Sequence, residues 1–343
     1  AEGFGLWCNG KPAAVERRAD GSGKPGFDVG VTGLALCAYL SAGYTQRGKH
    51  PYKSVVGKGL RYLKNVQDPE GCFGPRSHPQ YMYNHAIAAL TMVEIYGMTG
   101  SPIFKSSAQR ALDFIAEARN PYFAWRYGVK PGDNDTSVTA WMVAALKSAA
   151  LINANARKSG RDAPLTIDEE AFAGVRNWLD KMTDPRTGRV GYLQRGQGSA
   201  RTKELVDRFP NDKVVAMTAA GLFMRIMLGE DPTKSEVLLK SAALVRNHPP
   251  QWKPNTGHMD MYYWYQGALA MHQLGGAYYK AWKPGIYGQI EKAQRVDTDY
   301  CQYKGSWDPI GPWGEDGGRV YSTAVLAMCL QVVERYDRVP GLR

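Results

Sequence analysis

The chain has 343 residues, 44% hydrophobic and 22% charged, and carries a formal net charge of +11. That length supports one large core or two ordinary domains, and no uninterrupted apolar run approaches the ~20 residues of a transmembrane helix. The lysines and arginines are scattered, with no Arg-rich arm and no basic patch interleaved with aromatics, which argues against nucleic acid and for an acidic or phosphorylated ligand or an anionic surface.

Residues 1–27 form an N-terminal extension without the apolar core of a signal peptide. The sequence starts at Ala1, so a secreted or periplasmic location is expected if a leader has been removed, and the compartment is otherwise open. Cysteines at 8, 37, 72, 301 and 329 show no CxxC spacing and no companion histidines. Cys37 and Cys329 fall in apolar helical patterns and are expected as buried thiols.

From residue 28 to 336 one design repeats, before a short tail at 337–343. Six stretches begin near Asp28, Tyr81, Asp135, Val214, Tyr262 and Arg319, and each sets one polar residue before a glycine or alanine and an apolar run. The polar residues are Thr32, His85, Thr139, Thr218, Gln266 and Thr323. Helices that are apolar nearly all round are buried on every side. Between them lie segments such as "YKSVVGKGLRYLKNVQ" and "DEEAFAGVRNWLDKM", which alternate apolar and charged residues at helical spacing. Alternation of fully and half-buried helices predicts an all-α, double-layered α/α toroid with about six inner and five to six outer helices. The rival arrangement is a linear solenoid of helix pairs. Thr139 and Thr218 are 79 residues apart against 48 to 57 for the other pairs, and the surplus falls in a basic, glycine-rich insertion at 183–213, a candidate lid.

The turns carry a resemblance. "QDPEGCFG" from Gln67 resembles the Gln-x3-Gly-x-Trp turn of the prenyltransferase and squalene-cyclase repeat family, with Phe73 in the tryptophan position. "CQYKGSWDP" keeps Gly305 and Trp307 with Cys301 in the glutamine position, and "TDPRTGRVGY" is a fainter copy. The resemblance covers roughly residues 28 to 336 and implies the toroid, with a ligand drawn from the isoprenoids. Family prenyltransferases hold zinc with Asp-x-Cys and a histidine. Here Asp260 is followed by Tyr262, and the last inner helix brings Arg319, so no metal is expected. Protonating cyclases of the superfamily use an aspartate-rich motif. "KPGDNDTSVTAW" keeps Asp135-Thr136 but places Asn134 at the donor position, leaving Asp133 or Asp135 as the acid, or Asp135 as a helix cap.

Gathered at one rim, the six helix starts would set Asp28, Tyr81, Asp135, Tyr262 and Arg319 at a cavity mouth. Thr32, His85, Thr139, Thr218, Gln266 and Thr323 would lie one turn deeper. His85, near its working pH, is the most informative of these. Tyr81, Tyr83, Tyr122, Trp125, Tyr262, Tyr263, Trp264 and Tyr265 supply aromatic walls, and "PYFAWRYG" and "GSWDPIGPWGEDGGR" add to the rim. The alternative is that the polar groups satisfy one another around a filled axis. No phosphate loop or nucleophile elbow is present, and no cofactor is expected.

The leading expectation is a toroid that binds or converts a hydrophobic or phosphorylated isoprenoid in a central cavity. Asp135, Asp133, Asp28, His85 and Tyr81 are its candidate catalytic residues. Two others stay open: a non-catalytic domain for a protein partner, and a toroid enzyme acting on a polysaccharide, for which Asp28, His85, Tyr81 and Asp260 would supply acid and base. Whether the protein is an enzyme is open as well.

Overall fold

A computed structural model describes residues 7–8, 11–12, 21–232, 234–296 and 303–335. Its body is all-α. In chain order the helices are α1 (Asp28–Ser41), α2 (Lys53–Val66), α3 (Tyr81–Thr99), α4 (Pro102–Ala118), α5 (Thr136–Lys158) and α6 (Glu170–Met182). They continue as α7 (Lys203–Arg208), α8 (Ala216–Met227), α9 (Glu236–Arg246), α10 (Met261–Leu274), α11 (Gly276–Ala293) and α12 (Gly314–Arg335). Two short strands, Trp7–Cys8 and Lys11–Pro12, pair with each other.

The inner helices follow one another round a ring, α1 on α3, α3 on α5, α5 on α8, α8 on α10 and α10 on α12, and α12 returns to α1. Closure rules out the linear solenoid. Helices α2, α4, α6, α9 and α11 form the outer layer, each packed on the inner helix that precedes it. Burial explains the sorting. Every residue of α8 is buried, whereas α2 buries only Val56, Leu60 and Leu63, one stripe at helical spacing. Helix α5 is long and apolar enough by composition to cross a membrane, but it runs inside the ring with 61% of its most apolar window buried. Small residues set the layer spacing: a Cβ on Gly267 of α10 would lie 2.5 Å from the Trp282 ring of α11. Helix α12 is broken at Gly318 (φ 65°), so its first turn stands apart from the rest.

The connecting turns are braced to both layers. Gln67 donates to the carbonyls of Gly71 and Ser107 and accepts from Ser107 Oγ and Arg110, tying its turn to α4. In the last copy Gln294 donates to the Gly305 carbonyl at 2.9 Å, so Gln294 takes the part played by Gln67. Cys301, expected there, lies outside the described residues. The aromatics two residues after the turn glycine pack under the outer layer: the Trp307 indole donates to the Ile290 carbonyl of α11 at 2.8 Å. The Trp125 indole does the same to Ile115 of α4, at 2.8 Å. Cys37 and Cys329 are buried, as is Cys72, whose thiol burial pushes up to about 12.

Candidate functional site

Most of the polar groups expected to ring a cavity are taken up by backbone of the connecting turns. Thr139 Oγ1 accepts from Trp125 N at 3.4 Å, Thr218 Oγ1 from Val190 N at 3.1 Å, and Thr323 Oγ1 from Trp307 N at 3.4 Å. His85 Nδ1 accepts from Phe73 N at 3.2 Å. Each of the four bonds the turn that follows the preceding outer helix, in the connection between that helix and its own inner one, a repeated brace for a backbone donor that would otherwise be buried unpaired. His85 is fully buried between Phe73 and Phe114, and its Nε2 lies against the Ala111 carbonyl without good hydrogen-bond geometry. Burial lowers its pKa to about 3, which keeps the ring neutral. Among the described residues Thr32 and Gln266 have no such turn partner, and neither lines the cavity.

The cavity itself, of about 110 Å³, lies at the N-terminal ends of the inner helices. Tyr83, Asn84 and Ile87 of α3, Ser137 and Trp141 of α5, and Tyr262 of α10 form one side. Phe27, Gly30, Val31 and Leu34 lead in from α1, Trp313, Asp316 and Tyr321 belong to the start of α12 and its approach, and Tyr127 and Ala200 come from connecting loops. The walls are mutually supporting. Trp141 stacks on Tyr265 at 5.7 Å, Tyr83 meets Tyr127 at 5.8 Å, and Tyr127 Oη hydrogen-bonds Tyr192 Oη. Asp316 is ion-paired to Lys24 at 2.6 Å.

Behind the tyrosines sits Asp135. It caps α5, its Oδ1 accepting from Val138 N at 2.8 Å, while the fully buried Oδ2 has no hydrogen bond of good geometry among the described residues, although the Ser137 amide lies close to the carboxyl. Burial pushes its carboxyl up to about 7, against the pull of the Val138 amide and the Arg126 charge. Tyr83, Tyr127 and Tyr192 are all raised, chiefly by burial and next by the Asp135 charge, so these phenols crowd that carboxyl. Tyr262 is raised by burial and donates to the Ser137 carbonyl at 3.4 Å.

A smaller annex of about 20 Å³ adjoins the cavity and shares Ala200, Tyr262 and Trp313 with it. Arg189, Arg201, Asn211, Thr218 and Asp260 line it. Arg201 and Asp260 form an ion pair at 2.6 Å with side chains only 2% and 3% exposed. Asp260 also caps α10 through Tyr263 N, and Arg201 reaches the carbonyls of Phe209 and Pro210. The basic insertion is thereby strapped to an inner-helix start.

The remaining expected residues fall elsewhere. Asp28 is exposed, its charge felt by Tyr62 of α2, and Tyr81 lies near Cys72 in the first turn. Asp133 pairs with Arg126 at the surface. Arg319 turns to Asp308 at 2.8 Å and covers the Tyr303 ring. Trp264 packs on Trp252, and Tyr263 donates to His248 O at 2.6 Å on the outer side. A polar or aromatic residue at an inner-helix start thus says that a partner is needed, without saying on which side. Trp141 and Tyr321, which line the cavity, and Tyr192, which bonds Tyr127, are not marked as site residues by the sequence, and Tyr127, Trp313 and Asp316 stand there only within longer rim stretches. Trp141 was within reach: it follows Thr139 by two residues, across the same helix. Among the described residues no three His, Cys, Asp or Glu side chains gather as metal ligands.

The closed ring with its mouth at the inner-helix starts defines an α/α toroid. Its fold is similar to an α-1,6-mannanase of Salegentibacter sp. HEL1_6, in a variant inactivated at two adjacent aspartates and bound to α-1,6-mannotriose (TM-score 0.57, 12% identity, 90% of each chain). It is also similar to cellobiose 2-epimerase from Spirochaeta thermophila DSM 6192 (TM-score 0.58, 12% identity, 92% of this chain and 86% of that one). A third likeness is to an α-amylase from Clostridium perfringens (TM-score 0.54, 12% identity, 90% and 86%). No family model matches the chain, and no curated protein matches it by sequence. These neighbours are named for carbohydrates, and they overturn the expected kinship with the prenyltransferase and squalene-cyclase family together with the isoprenoid reading. The turn motif that suggested that kinship is a bracing device, which ties a connecting turn to the outer helix.

Proposed function

We propose that this protein is a carbohydrate-active toroid that seats a sugar ring in the aromatic cavity and cleaves its glycosidic bond with a proton held by Asp135. The observation that carries the reading is the pairing of an aromatic-walled cavity with a buried carboxyl behind it, one of whose oxygens has no hydrogen bond of good geometry among the described residues. Sugar rings present apolar C–H faces that pack on aromatic faces such as Trp141, Tyr262 and Trp313, while their hydroxyls need a few placed polar groups. Gln80, Ser137 and Asp316 stand in the lining for that purpose, while the Asn84 amide is already bonded to Gly26 and Gly30. A carboxyl pushed up to about 7 keeps its proton in neutral water, as a general acid requires. Tyr83, Tyr127 and Tyr262 stand between it and the cavity, and none of them hydrogen-bonds its Oδ2 among the described residues, so transfer to the glycosidic oxygen requires a phenol or a water to close that gap first. Asp316 is the carboxylate available within the lining to assist water.

The mannanase and the epimerase act on glycans in their own toroids, and a glycan ligand here is consistent with that. One observation favours binding without turnover: Asp135 does not itself line the cavity. A single experiment separates the two. The protein is incubated with α-1,6-mannotriose, cellobiose and a panel of α- and β-linked oligosaccharides, and products and binding are followed together by mass spectrometry and calorimetry. Turnover that falls about 10²–10⁴-fold in Asp135→Asn with binding retained supports the acid role. Binding that weakens about tenfold or more in Trp141→Ala supports the aromatic seat. Binding without any product in the wild type leaves a recognition domain, and neither binding nor product removes the glycan reading.

A further inference from the structure

The annex beside the cavity is too small for a ring and is charged. Its volume of about 20 Å³ accommodates one or two water-sized groups, the size of a carboxylate. Three charged residues line it, Arg189, Arg201 and Asp260. Asp260 and Arg201 neutralise each other at 2.6 Å in near-complete burial. Arg189 is left over. Its described bonds are made by its backbone, N to Thr187 Oγ1 and O from Asp184 N, and its guanidinium has no described ion pair or hydrogen bond. Among the described residues that line the annex, cationic side chains therefore outnumber anionic ones by one, the half-buried Arg189, in a chain whose formal net charge is already +11.

The annex and the cavity meet at Tyr262 and Trp313, two of the aromatics on which a sugar would lie. We propose that the annex is a subsite for the carboxylate of an acidic sugar, so that the preferred ligand is a uronic-acid unit whose ring rests on Tyr262 and Trp313 and whose carboxylate meets Arg189. A guanidinium presents a planar fork of donors that matches a carboxylate, and a charge-assisted pair is about twice as strong as a neutral hydrogen bond. Asn211 adds an amide donor on the same lining. A neutral sugar would leave this charge with water only, which gives the preference its physical source. The inference rests on the glycan reading above and goes beyond it by naming the substrate class.

The test titrates the full chain with trigalacturonate, trimannuronate, α-1,6-mannotriose, cellotriose and a sulfated neutral trisaccharide, at low and at raised salt. At least one uronate trimer is expected to bind tenfold or more tighter than the neutral trimers, with an advantage that shrinks as salt rises. Arg189→Gln should erase that advantage while neutral-sugar affinity and thermal stability stay unchanged, and Arg189→Lys should restore it in part. Equal binding of acidic and neutral trimers, or a preference that survives Arg189→Gln, overturns the subsite while leaving a glycan-binding toroid standing. A sulfated sugar bound as tightly as the uronates overturns the carboxylate assignment. Failure of every sugar to bind overturns both.

Discussion

Asp135 and His85 are both fully buried, and burial moves their titrations in opposite directions. The Asp135 carboxyl rises from 3.8 to about 7, so between those values the folded chain holds a proton that the unfolded chain has lost. Stability from this group is greatest in acid and is lost as pH climbs through that window. The His85 ring falls from 6.5 to about 3, so in that window the unfolded chain holds the extra proton and stability is lost as pH falls. From about pH 4 to 6.5 the two slopes oppose each other. Asp135→Asn is therefore expected to unmask a stability that rises with pH over that range by up to about 3 kcal/mol, and His85→Leu one that falls. Urea unfolding at pH 4.5 and 6.5 reads both, and parallel behaviour of the two variants would contradict the assignment. His85→Leu should also lower stability overall by about 1–3 kcal/mol, because the Phe73 amide loses its acceptor.

At the scale of elements, the turns and the strap make separate predictions. Gly71 has φ 97°, and a Cβ there would lie 2.2 Å from the Arg110 carbonyl oxygen of α4. Gly305, in the corresponding turn, has φ 81° and nothing within 4 Å. Gly305→Ala should therefore cost only the backbone strain of about 1–2 kcal/mol, and Gly71→Ala clearly more, by chemical denaturation. The Arg201–Asp260 pair holds the insertion to α10. Arg201→Met strands a buried carboxylate and is expected to cost about 3–5 kcal/mol, while Arg201→Met with Asp260→Asn should recover much of the loss. A double variant no better than the single would show that the pair is not the strap. Ala200 of the insertion lines both cavities, and Arg201 next to it is the anchor.

For the molecule as a whole, closure is the decisive feature. Helix α12 packs on α10 and on α1, so the first and last helices of the described ring are neighbours. In a solenoid each unit touches only the next, and loss of a terminal one trims stability by an increment. In a closed ring the same loss exposes apolar faces on two inner helices at once. Ending the chain after Pro312 is therefore expected to abolish cooperative thermal unfolding, and a truncated chain that still melts sharply a few degrees lower would argue for solenoid-like energetics.

The ring was legible because burial writes itself into period and composition. Helices such as α8, with no wet face, have to be surrounded, and helices such as α2, with a single apolar stripe, have to lie outside them. Small residues before each inner run signalled close packing, and Gly267 against Trp282 is that contact. Asp135 was legible as a cap, because a carboxylate ahead of an apolar helix has orphan amides to satisfy. What a polar side chain faces was not legible. Thr139, Thr218, Thr323 and His85 sit at matched positions and turn to the loops behind them, since the nearest unpaired backbone amides were there. The cavity, drawn from five inner helices and the loops between them, is a property of where the ring brings distant segments together. By itself the sequence determined an α/α toroid, through the number of faces each helix must bury. Only the tertiary structure decided that Tyr83, Tyr127, Trp141, Tyr262 and Trp313 share one cavity with Asp135 behind it and Arg189 beside it, because no local pattern records which side of a buried helix meets empty space.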